Sequence, residues 1–325
     1  MKFKDKLFAG LAVLRAKIFK KKTPLIVGWA ITSECNSRCG YCGYYEKSAQ
    51  ELTTDQALGV IEEMAGLGTK IISFTGGEPL VREDLGKLID KAAGLGMDVR
   101  VNSNGWLVPE KIGLLKKIKK LNLSFDGPED TNDSIRGKGC FSAVMRAADI
   151  AGREGIKVDF CCVISNKNIG SLEFVLKKAK EYNADILFQA ATQNILGKTE
   201  ENELSPTREE FGKAIDELLK LKKTHKNILN SEANLKFMKT WTGGSPLKCA
   251  SSFISCRIEP NGDVVHCSRE TFDFKPLNIV RDGFKKAFYN LPDVCCSKCF
   301  CAGRLELNCL LDLNIGSIRK AIRGI

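Results

Sequence analysis

The chain has 325 residues, of which 43% are hydrophobic and 27% are charged, and its formal net charge is +11. This composition excludes a mostly disordered chain and a small disulfide-stapled protein. No apolar run reaches the roughly 18–20 residues that cross a bilayer, which argues against a transmembrane protein. Basic residues follow the short apolar stretch Leu7–Leu14, which is not the pattern of a secretory signal. We therefore expect a cytoplasmic protein.

The N-terminal segment, residues 1–23, is predicted to be a basic amphipathic helix. It carries eight basic side chains and one acidic one, so most of the net charge belongs to it. One apolar stripe recurs there at spacings of three and four: Phe3, Leu7, Phe8, Leu11, Leu14, Ile18 and Phe19. The helix either lies on an anionic membrane, at its inner face, or packs on the protein's own surface. Because the remaining chain is only weakly basic, we do not expect a nucleic-acid partner.

Strands and helices are predicted to alternate in residues 24–190. The predicted strands are Ile26–Thr32, Lys70–Thr75, Asp98–Asn102, Leu121–Phe125, Lys157–Ile164 and Asp185–Gln189. The predicted helices lie near Thr53–Leu67, Glu83–Leu95, Pro109–Ile118, Phe141–Glu154 and Ile169–Tyr182. This α/β alternation predicts a parallel sheet with right-handed connections. No GxGxxG follows the first strand, which weakens a dinucleotide-binding interpretation, whereas barrel-type sheets place their chemistry on the loops after the strands.

From residue 191 the strand–helix alternation ends, and the composition of the chain changes twice. A polar loop, residues 191–206, precedes two predicted helices, Thr207–Lys223 and Ser231–Trp241. Beyond residue 243 the chain is rich in cysteine, and an Asn-Gly turn joins Arg257–Pro260 to Asp263–His266 in a predicted β-hairpin. We therefore divide the chain into an N-terminal helix (1–23), a core barrel (24–190), a helical linker (191–242) and a small cysteine-rich α+β domain (243–325).

The fourteen cysteines are clustered, which indicates metal binding in a reducing compartment and argues against disulfides. One triplet, Cys35, Cys39 and Cys42, follows the first strand. A central group, Cys140, Cys161 and Cys162, is predicted to be buried as small hydrophobic residues. The C-terminal group comprises Cys249, Cys256, Cys267, Cys295, Cys296, Cys299, Cys301 and Cys309.

The triplet has the spacing C-x3-C-x2-C, which predicts an iron–sulfur cluster with one open iron. A cubane cluster usually takes four thiolates, and no fourth cysteine lies nearby in the sequence. Zinc also needs a fourth ligand, and His225 and His266 are distant in the sequence. After the second strand comes Gly76-Gly77-Glu78-Pro79, where the glycines allow a close backbone approach and the carboxylate can accept from an ammonium group.

These two motifs together resemble the radical S-adenosylmethionine (radical SAM) enzymes over roughly residues 24–190. The resemblance implies a partial (βα)6 TIM-like barrel whose 4Fe–4S cluster binds SAM and cleaves it to a 5′-deoxyadenosyl radical. By position, Cys35, Cys39 and Cys42 would ligate the cluster. Tyr41 would lie near the adenine, and Gly76, Gly77 and Glu78 would form the site for the methionine amine.

Two later segments also resemble that family. Asn102–Gly105 is similar to its TNG-like segment, and Ser124–Gly127 with Arg136-Gly137 is similar to its SLDG…RG segment. Ser124 and Arg136 would then face the ribose or carboxylate of SAM, and Asp126 would contact SAM or act on the substrate. The alternative for each is a loop residue that caps a helix or makes a turn.

The cysteine-rich end resembles the SPASM and Twitch domains, which hold auxiliary iron–sulfur clusters. The hairpin matches the first half of that pattern, but Cys301 and Cys309 break the spacing of the second half. The ligand set implied for one auxiliary 4Fe–4S cluster is Cys249, Cys267, Cys296 and Cys299. Cys256, Cys295, Cys301 and Cys309 are held in reserve for it or for a partial second cluster. A zinc knuckle is the alternative.

We therefore expect an enzyme that abstracts hydrogen from a peptide, a protein or a membrane lipid and receives electrons from a reductant such as ferredoxin or flavodoxin. An auxiliary cluster with four thiolates favours electron transfer and an oxidative net reaction. A non-catalytic iron–sulfur carrier or scaffold, or a zinc-stabilised binding protein, would use the same cysteines without SAM.

Overall fold

The computed structural model describes residues 3–47, 50–240, 247–267, 274–293, 295–296, 299, 301–314 and 316–318, without the side chains of 247–248 and 295–296. Its strands are β1 Ile26–Thr32, β2 Ile71–Gly76, β3 Asp98–Ser103, β4 Lys120–Ser124, β5 Val158–Ile164, β6 Asp185–Ala190, β7 Leu247–Lys248, β8 Ser255–Ile258, β9 Val264–Val265 and β10 Cys295–Cys296. Its α-helices are α1 Phe3–Phe19, α2 Thr54–Gly66, α3 Leu85–Gly94, α4 Val108–Lys111, α5 Glu129–Arg136, α6 Cys140–Arg153, α7 Leu172–Glu181, α8 Arg208–Leu221, α9 Glu232–Met238, α10 Ile279–Asp282, α11 Phe284–Tyr289 and α12 Ala302–Leu311.

The main sheet contains eight strands in the order β6-β5-β4-β3-β2-β1-β8-β9. Strands β1 to β6 pair in parallel in chain order, as the alternating pattern predicts. The sheet curves into an open barrel whose end strands, β6 and β9, are not neighbours. The fold class inferred from the sequence is therefore confirmed.

Alternate residues of each strand face opposite sides of the sheet, and the two sides differ in chemistry. The large side chains of Phe74, Leu123, Phe160 and Phe188 are buried in the main hydrophobic core. The residues between them are half-buried and mostly polar: Ser73, Asn102, Asn122, Ser124, Cys161 and Gln189. We call this second face the lumen of the barrel.

The predicted hairpin is present as β8 and β9, but it does not stand apart from the barrel. Strand β8 pairs in parallel with β1, with Ile26 opposite Ser255 and Trp29 opposite Ile258. The sheet therefore crosses the boundary at residue 243 that the sequence suggested. Nothing in the local pattern of β8 could reveal this, because its partner lies more than 200 residues earlier in the chain.

Two predicted helices end early, and α5, α10, α11 and α12 were not predicted from the sequence. The predicted helix Pro109–Ile118 is wrong: it is one α-helical turn, α4, followed by a 3₁₀ turn over Ile112–Leu115, beside the poor helix former Gly113. Helix α9 ends at Met238, and Trp241 lies outside the described residues. Helix α5 was not predicted, since its eight residues are almost all polar.

Helix α1 packs through a different face from the one its large apolar residues suggest. Ala12, Val13 and Ala16 are buried against a small core formed by Leu25, Ala250, Phe253, Ile254 and Leu311. The predicted stripe points outward, with Leu7 57%, Leu11 45%, Leu14 44% and Ile18 64% exposed. Within the described ranges, none of the helices is long and apolar enough to cross a membrane.

Candidate active site

The predicted cluster ligands lie on one loop at the carboxyl edge of the sheet. We call residues 33–43 the cysteine loop. Glu51 holds its start, accepting from Thr32 Oγ1 (2.7 Å) and from the Ser33 N–H (2.9 Å). Its end is a turn in which the Cys42 N–H donates to the carbonyl of Cys39 (3.0 Å). One carboxylate therefore orders the start of the loop, and a backbone hydrogen bond orders its end.

The three thiols lie on one loop of eight residues and are each half-buried. The pKa of Cys39 is raised to about 12, chiefly by burial and in part by the neighbouring Cys42 and Cys35 thiols, although Arg136 lowers it. Burial also raises the pKa of Cys35 and of Cys42. Thiols in such surroundings stay protonated at neutral pH unless a metal replaces the proton. The loop therefore offers three thiols suited to metal ligation.

Gly76 and Gly77 lock the cysteine loop against the end of β2. The Gly77 N–H donates to Thr32 O (2.8 Å) and the Glu78 N–H donates to Glu34 O (2.8 Å). A Cβ on Gly76 would overlap Thr32 O, and a Cβ on Gly77 would overlap Glu34 O. The sequence suggested that these glycines admit a ligand. In the structure, the space beside each glycine is occupied by the backbone of Thr32 and Glu34, which leads to Cys35.

Glu78 is buried and hydrogen-bonded by the protein itself. Its Oε1 accepts from the Leu80 N–H (3.1 Å) and its Oε2 accepts from the Asn104 N–H (2.7 Å). Burial raises its pKa to about 7, although these backbone donors lower it. The carboxylate thus ties the loop after β2 to the loop after β3. Its predicted contact with the methionine amine stays a prediction.

Asn104 is a site residue that the sequence did not single out. Its Nδ2 donates to Asn36 Oδ1 (2.7 Å) and Ser37 Oγ (3.0 Å), and lies 3.9 Å from Cys35 Sγ. The loop after β3 therefore holds the first turn of the cysteine loop. The only sequence signal was its place in the Asn102–Gly105 segment.

A buried charge cluster lies behind the cysteine loop. Asp126 Oδ2 pairs with Arg136 Nε (2.7 Å) and accepts from the Tyr41 hydroxyl (3.1 Å). The Arg136 guanidinium lies 5.5 Å from the Tyr41 ring centre. Burial raises the pKa of Tyr41 well above its ordinary value. The structure therefore brings these three predicted site residues together, and their contacts are with one another.

Both carboxylate oxygens of Asp126 are engaged by the protein itself. Its Oδ1 accepts from the Val163 N–H (2.7 Å), and its side chain is fully buried. Its backbone is fixed as well, by Asn132 and Asn168. The geometry therefore suits a positioning residue that orients Tyr41 and Arg136. Ser124, by contrast, ends β4 on the lumen side opposite Cys161.

The lumen below Ser124 carries a ladder of amides. Asn102 Nδ2 donates to Ser73 Oγ (3.0 Å), and Asn122 Nδ2 donates to Asn102 Oδ1 (3.1 Å). The prediction that Cys161 is a buried core residue is wrong, because it lies on this half-buried face, while Cys162 is in the core. A polar lumen beneath three thiols is suited to a ligand with several hydrogen-bonding groups.

The segment predicted as a polar loop, residues 191–206, crosses the cysteine loop. The Leu196 N–H donates to Tyr41 O (3.0 Å), and the Gly43 N–H donates to Leu196 O (2.8 Å). Leu204 packs on Gly40. The segment thus clamps the second half of the cysteine loop, a contact that its polar sequence did not indicate.

The C-terminal cysteines differ in how deeply they are buried. Strand β10 lies antiparallel to β7, with Cys296 opposite Leu247 and Cys295 opposite Lys248, which brings their backbone beside Cys249. Cys249, Cys267, Cys299 and Cys301 are half-buried; the side chains of Cys295 and Cys296 lie outside the described residues. Cys256 and Cys309 are buried, and Cys256 belongs to the hydrophobic core. The structure therefore separates these two reserve cysteines from the ligand candidates.

The part of the sequence that carries the cysteine loop matches a known family. Residues 29–179 match the Radical SAM superfamily. Residues 29–179 of the chain therefore form a radical SAM domain. The matched range contains the cysteine loop, both glycines and the Asp126 cluster, so the resemblance seen in the motifs is confirmed.

Two similar proteins match this chain over different lengths. Fe-coproporphyrin III synthase of Methanosarcina barkeri is 34% identical over 171 residues, which is 50% of this chain and 42% of that protein. Mycofactocin maturase MftC of Mycolicibacterium smegmatis is 26% identical over 271 residues, 80% of this chain and 68% of that protein. The second match is long enough to extend beyond the barrel.

Solved structures show the same fold. Streptococcus suis SuiB bound to its precursor peptide SuiA superposes with a TM-score of 0.71 at 15% identity, covering 87% of this chain and 68% of that chain. At this identity the likeness concerns the fold alone, and it includes most of the region after β6.

The residues present fit the cofactors that this family uses, a 4Fe–4S cluster and SAM. Three thiols lie on one short loop, and its backbone approach to β2 excludes any side chain at Gly76 or Gly77. Across the described ranges, no three histidine, cysteine, aspartate or glutamate side chains converge on a single ion. Three thiolates from the loop would leave one position of a four-iron cluster for SAM.

Proposed function

We propose that this chain is a radical SAM enzyme that cleaves SAM reductively and abstracts hydrogen from a peptide substrate. The observation that carries the proposal is the cysteine loop, which places the half-buried Cys35, Cys39 and Cys42 directly after β1, at the carboxyl edge of the sheet. Cys35, Cys39 and Cys42 would hold the cluster, which would supply the electron for reductive cleavage of SAM to methionine and a 5′-deoxyadenosyl radical. The chain's own residues position the reactants.

The positioning follows from the contacts around the loop. Gly76 and Gly77 keep backbone atoms next to the cluster ligands, which leaves room for the methionine end of SAM. Asp126 holds the Tyr41 ring and the Arg136 guanidinium in place, and we assign Tyr41 to the adenine. Ser124 faces the lumen, where it would bind the ribose. The clamp of residues 191–206 limits access of water on the side of Tyr41.

A peptide is the substrate class with the most support. The match to mycofactocin maturase extends over 80% of this chain, whereas the match to the porphyrin synthase covers half of it. SuiB, which shares the fold, has been solved with its precursor peptide bound. A lumen lined by Asn102, Asn122 and Gln189 offers amide partners for a peptide backbone. The electron donor is proposed to be a ferredoxin or flavodoxin.

We further propose an auxiliary 4Fe–4S cluster held by Cys249, Cys267, Cys296 and Cys299. The pairing of β7 with β10 supports it, because it brings two of these segments side by side. Four protein thiolates leave no open iron, so this cluster would take an electron from the substrate radical. The net reaction on the peptide would then be an oxidation.

The test is the anaerobic production of 5′-deoxyadenosine from SAM with dithionite as the reductant. We expect the wild type to form it and Cys35→Ala to form none, while the control Cys140→Ala, a buried cysteine that accepts from Trp106, keeps the activity. Absence of 5′-deoxyadenosine from the wild type, with or without cell extract, would instead support a non-catalytic electron carrier or scaffold. Mass spectrometry of peptide and lipid fractions then decides the substrate class.

We also propose that helix α1 binds an anionic membrane surface. Its exposed stripe of Leu7, Leu11, Leu14 and Ile18 lies on the opposite side from the packed residues Ala12 and Ala16. Basic residues dominate the same segment, which attracts anionic headgroups and repels a second copy of this helix. The exposed side chains and the charge therefore favour lipid over self-association.

Vesicle sedimentation tests this contact. Replacing the four stripe residues by serine is expected to abolish binding to phosphatidylglycerol vesicles at low salt. The matched control replaces four exposed apolar residues elsewhere, Leu95, Leu114, Phe174 and Val280, and should bind like the wild type. Equal binding by both variants, or a wild-type dimer that the stripe variant dissociates, would contradict the membrane proposal.

A further inference from the structure

Helix α12 presents two polar side chains, one helical turn apart, to the segments that carry the C-terminal cysteines. They are Arg304 and Asn308. Neither is a candidate ligand, and the sequence gave no reason to connect them with the cysteines. Each makes side-chain contacts to residues more than 40 positions earlier in the chain.

Asn308 joins two of the proposed ligand segments. Its Oδ1 accepts from the Ala250 N–H (2.7 Å), next to Cys249, and its Nδ2 lies 4.0 Å from Cys299 Sγ. The side chain is 3% exposed. Because the backbone N–H of Ala250 requires an acceptor, the amide cannot turn over, and its N–H₂ group must face the sulfur.

Arg304 reaches the third segment through a serine. Its Nη1 donates to Ser251 Oγ (2.6 Å) and to Ser255 Oγ (2.8 Å). Ser251 Oγ in turn donates to the carbonyl of His266 (2.9 Å), the residue before Cys267. One face of α12 thus holds the surroundings of Cys249, Cys267 and Cys299 together.

We propose that Asn308 is a positioning residue for the auxiliary cluster, spacing Cys249 and Cys299 and donating an N–H to the Cys299 sulfur. Hydrogen bonds to the sulfur ligands raise the reduction potential of an iron–sulfur cluster, because they favour its more negative, reduced state. Asn308 therefore makes the auxiliary cluster a better electron acceptor. This inference rests on the auxiliary cluster of the proposed function.

The experiment separates the two parts of this inference. Iron and sulfide are first counted in a Cys35/Cys39/Cys42→Ala variant, where only the auxiliary cluster can remain. We expect about four irons per chain, a cubane-sized cluster. If none is bound, the auxiliary cluster itself is refuted, and the role of Asn308 falls with it.

Asn308→Asp keeps the acceptor for Ala250 and replaces the N–H donor by a carboxyl oxygen. In the same background we expect it to retain its iron and to show a lower midpoint potential in a redox titration followed by electron paramagnetic resonance. Asn308→Leu removes both contacts and should lose part of its iron. The control Asn290→Asp makes the same change at an exposed residue of the C-terminal region and should match the parent.

If Asn308→Asp binds wild-type iron at an unchanged potential, the positioning role is refuted while the auxiliary cluster stands. Repeating the titration on the holoenzyme, with the SAM cluster present, guards against a folding defect of the triple variant. There the signal of the auxiliary cluster should shift alone, and the SAM-dependent signal should not move.

Discussion

The two cysteine regions of this chain are built in opposite ways. The cysteine loop after β1 is held mainly by backbone hydrogen bonds, with the Gly77 N–H on Thr32 O and the Glu78 N–H on Glu34 O. The C-terminal cysteines are spread along the chain and depend on side chains of α12, chiefly Asn308 and Arg304. The first arrangement tolerates almost no change at its glycines, whereas the second can be tuned by single side chains.

The difference follows from sequence separation. Three ligands within eight residues need only one turn to meet, and a neighbouring strand end then fixes that turn. Ligands separated by tens of residues must be assembled by tertiary contacts, each of which overcomes the entropy of a longer loop. A cluster of the second kind therefore relies on buried polar residues that carry no motif.

The largest effect is expected at the glycine contact. Gly77→Ala would place a Cβ against Glu34 O, and we expect a loss of about 4 kcal/mol or more in the free energy of unfolding together with the loss of the SAM cluster. Gly59→Ala, in α2 with open space around it, is the matched control and should be neutral or slightly stabilising. Denaturant unfolding and iron content measure both, and retention of full iron in Gly77→Ala would break the comparison.

The second-largest effect is expected in the buried charge cluster of Asp126, Arg136 and Tyr41. Asp126→Asn leaves Arg136 buried without its partner, which should reduce the free energy of unfolding by about 3–5 kcal/mol. Asp130→Asn, an exposed change on α5, should have little effect. If Asp126→Asn instead keeps its stability but loses 5′-deoxyadenosine formation, Asp126 acts directly on SAM or substrate as the sequence suggested, and the positioning role is wrong.

A buried ion pair at the opposite edge of the sheet tests whether stability alone affects the cysteine sites. Lys120 Nζ lies 2.6 Å from Asp159 Oδ2, near the amino ends of β4 and β5. We expect Lys120→Met to reduce the free energy of unfolding by about 3 kcal/mol with both iron sites loaded. Loss of iron from this variant would show that cluster retention simply follows global stability.

The same pair predicts a pH dependence. Burial lowers the pKa of Lys120 below its ordinary 10.5, although Asp159 raises it. Between the lowered pKa and 10.5 the unfolded chain binds more protons than the folded chain, so this group makes the protein more stable as the pH rises. Urea unfolding between pH 8 and 10.5 should show a steeper rise for the wild type than for Lys120→Met; parallel curves would contradict the shift.

The smallest effect concerns the link between the two regions. The Tyr44 hydroxyl donates to Glu259 Oε2 (2.5 Å) and accepts from Arg257 Nη2 (3.2 Å), which joins the end of the cysteine loop to the segment of β8. Tyr44→Phe should reduce the free energy of unfolding by about 1–3 kcal/mol. Tyr45→Phe is the control on the adjacent, more exposed residue. If both variants lose the same free energy of unfolding, the hydrogen bonds of the Tyr44 hydroxyl do not stabilise the protein.

The barrel could be predicted closely because its signals are local. Strand β1 was predicted with its observed limits, and Thr53 and Thr207, where two predicted helices begin, are the N-caps of α2 and α8. Helix α5 and the break after α4 were missed, because a short polar helix has no apolar period to detect. The roles of Asn104 and Asn308 were missed since isolated asparagines are common in loops and helices.

The sequence alone determined the family, the parallel sheet and the three thiols of the cysteine loop, because these depend on spacing and periodicity over short stretches of chain. Tertiary structure decided that β8 joins β1, that Asp126 is enclosed by Arg136 and Tyr41, and that the large apolar residues of α1 face outward. Each of these depends on partners distant in the chain. Periodicity shows that a face is apolar, but which face is covered depends on the shape of its partner, and in α1 the small Ala12 and Ala16 allow the closer packing.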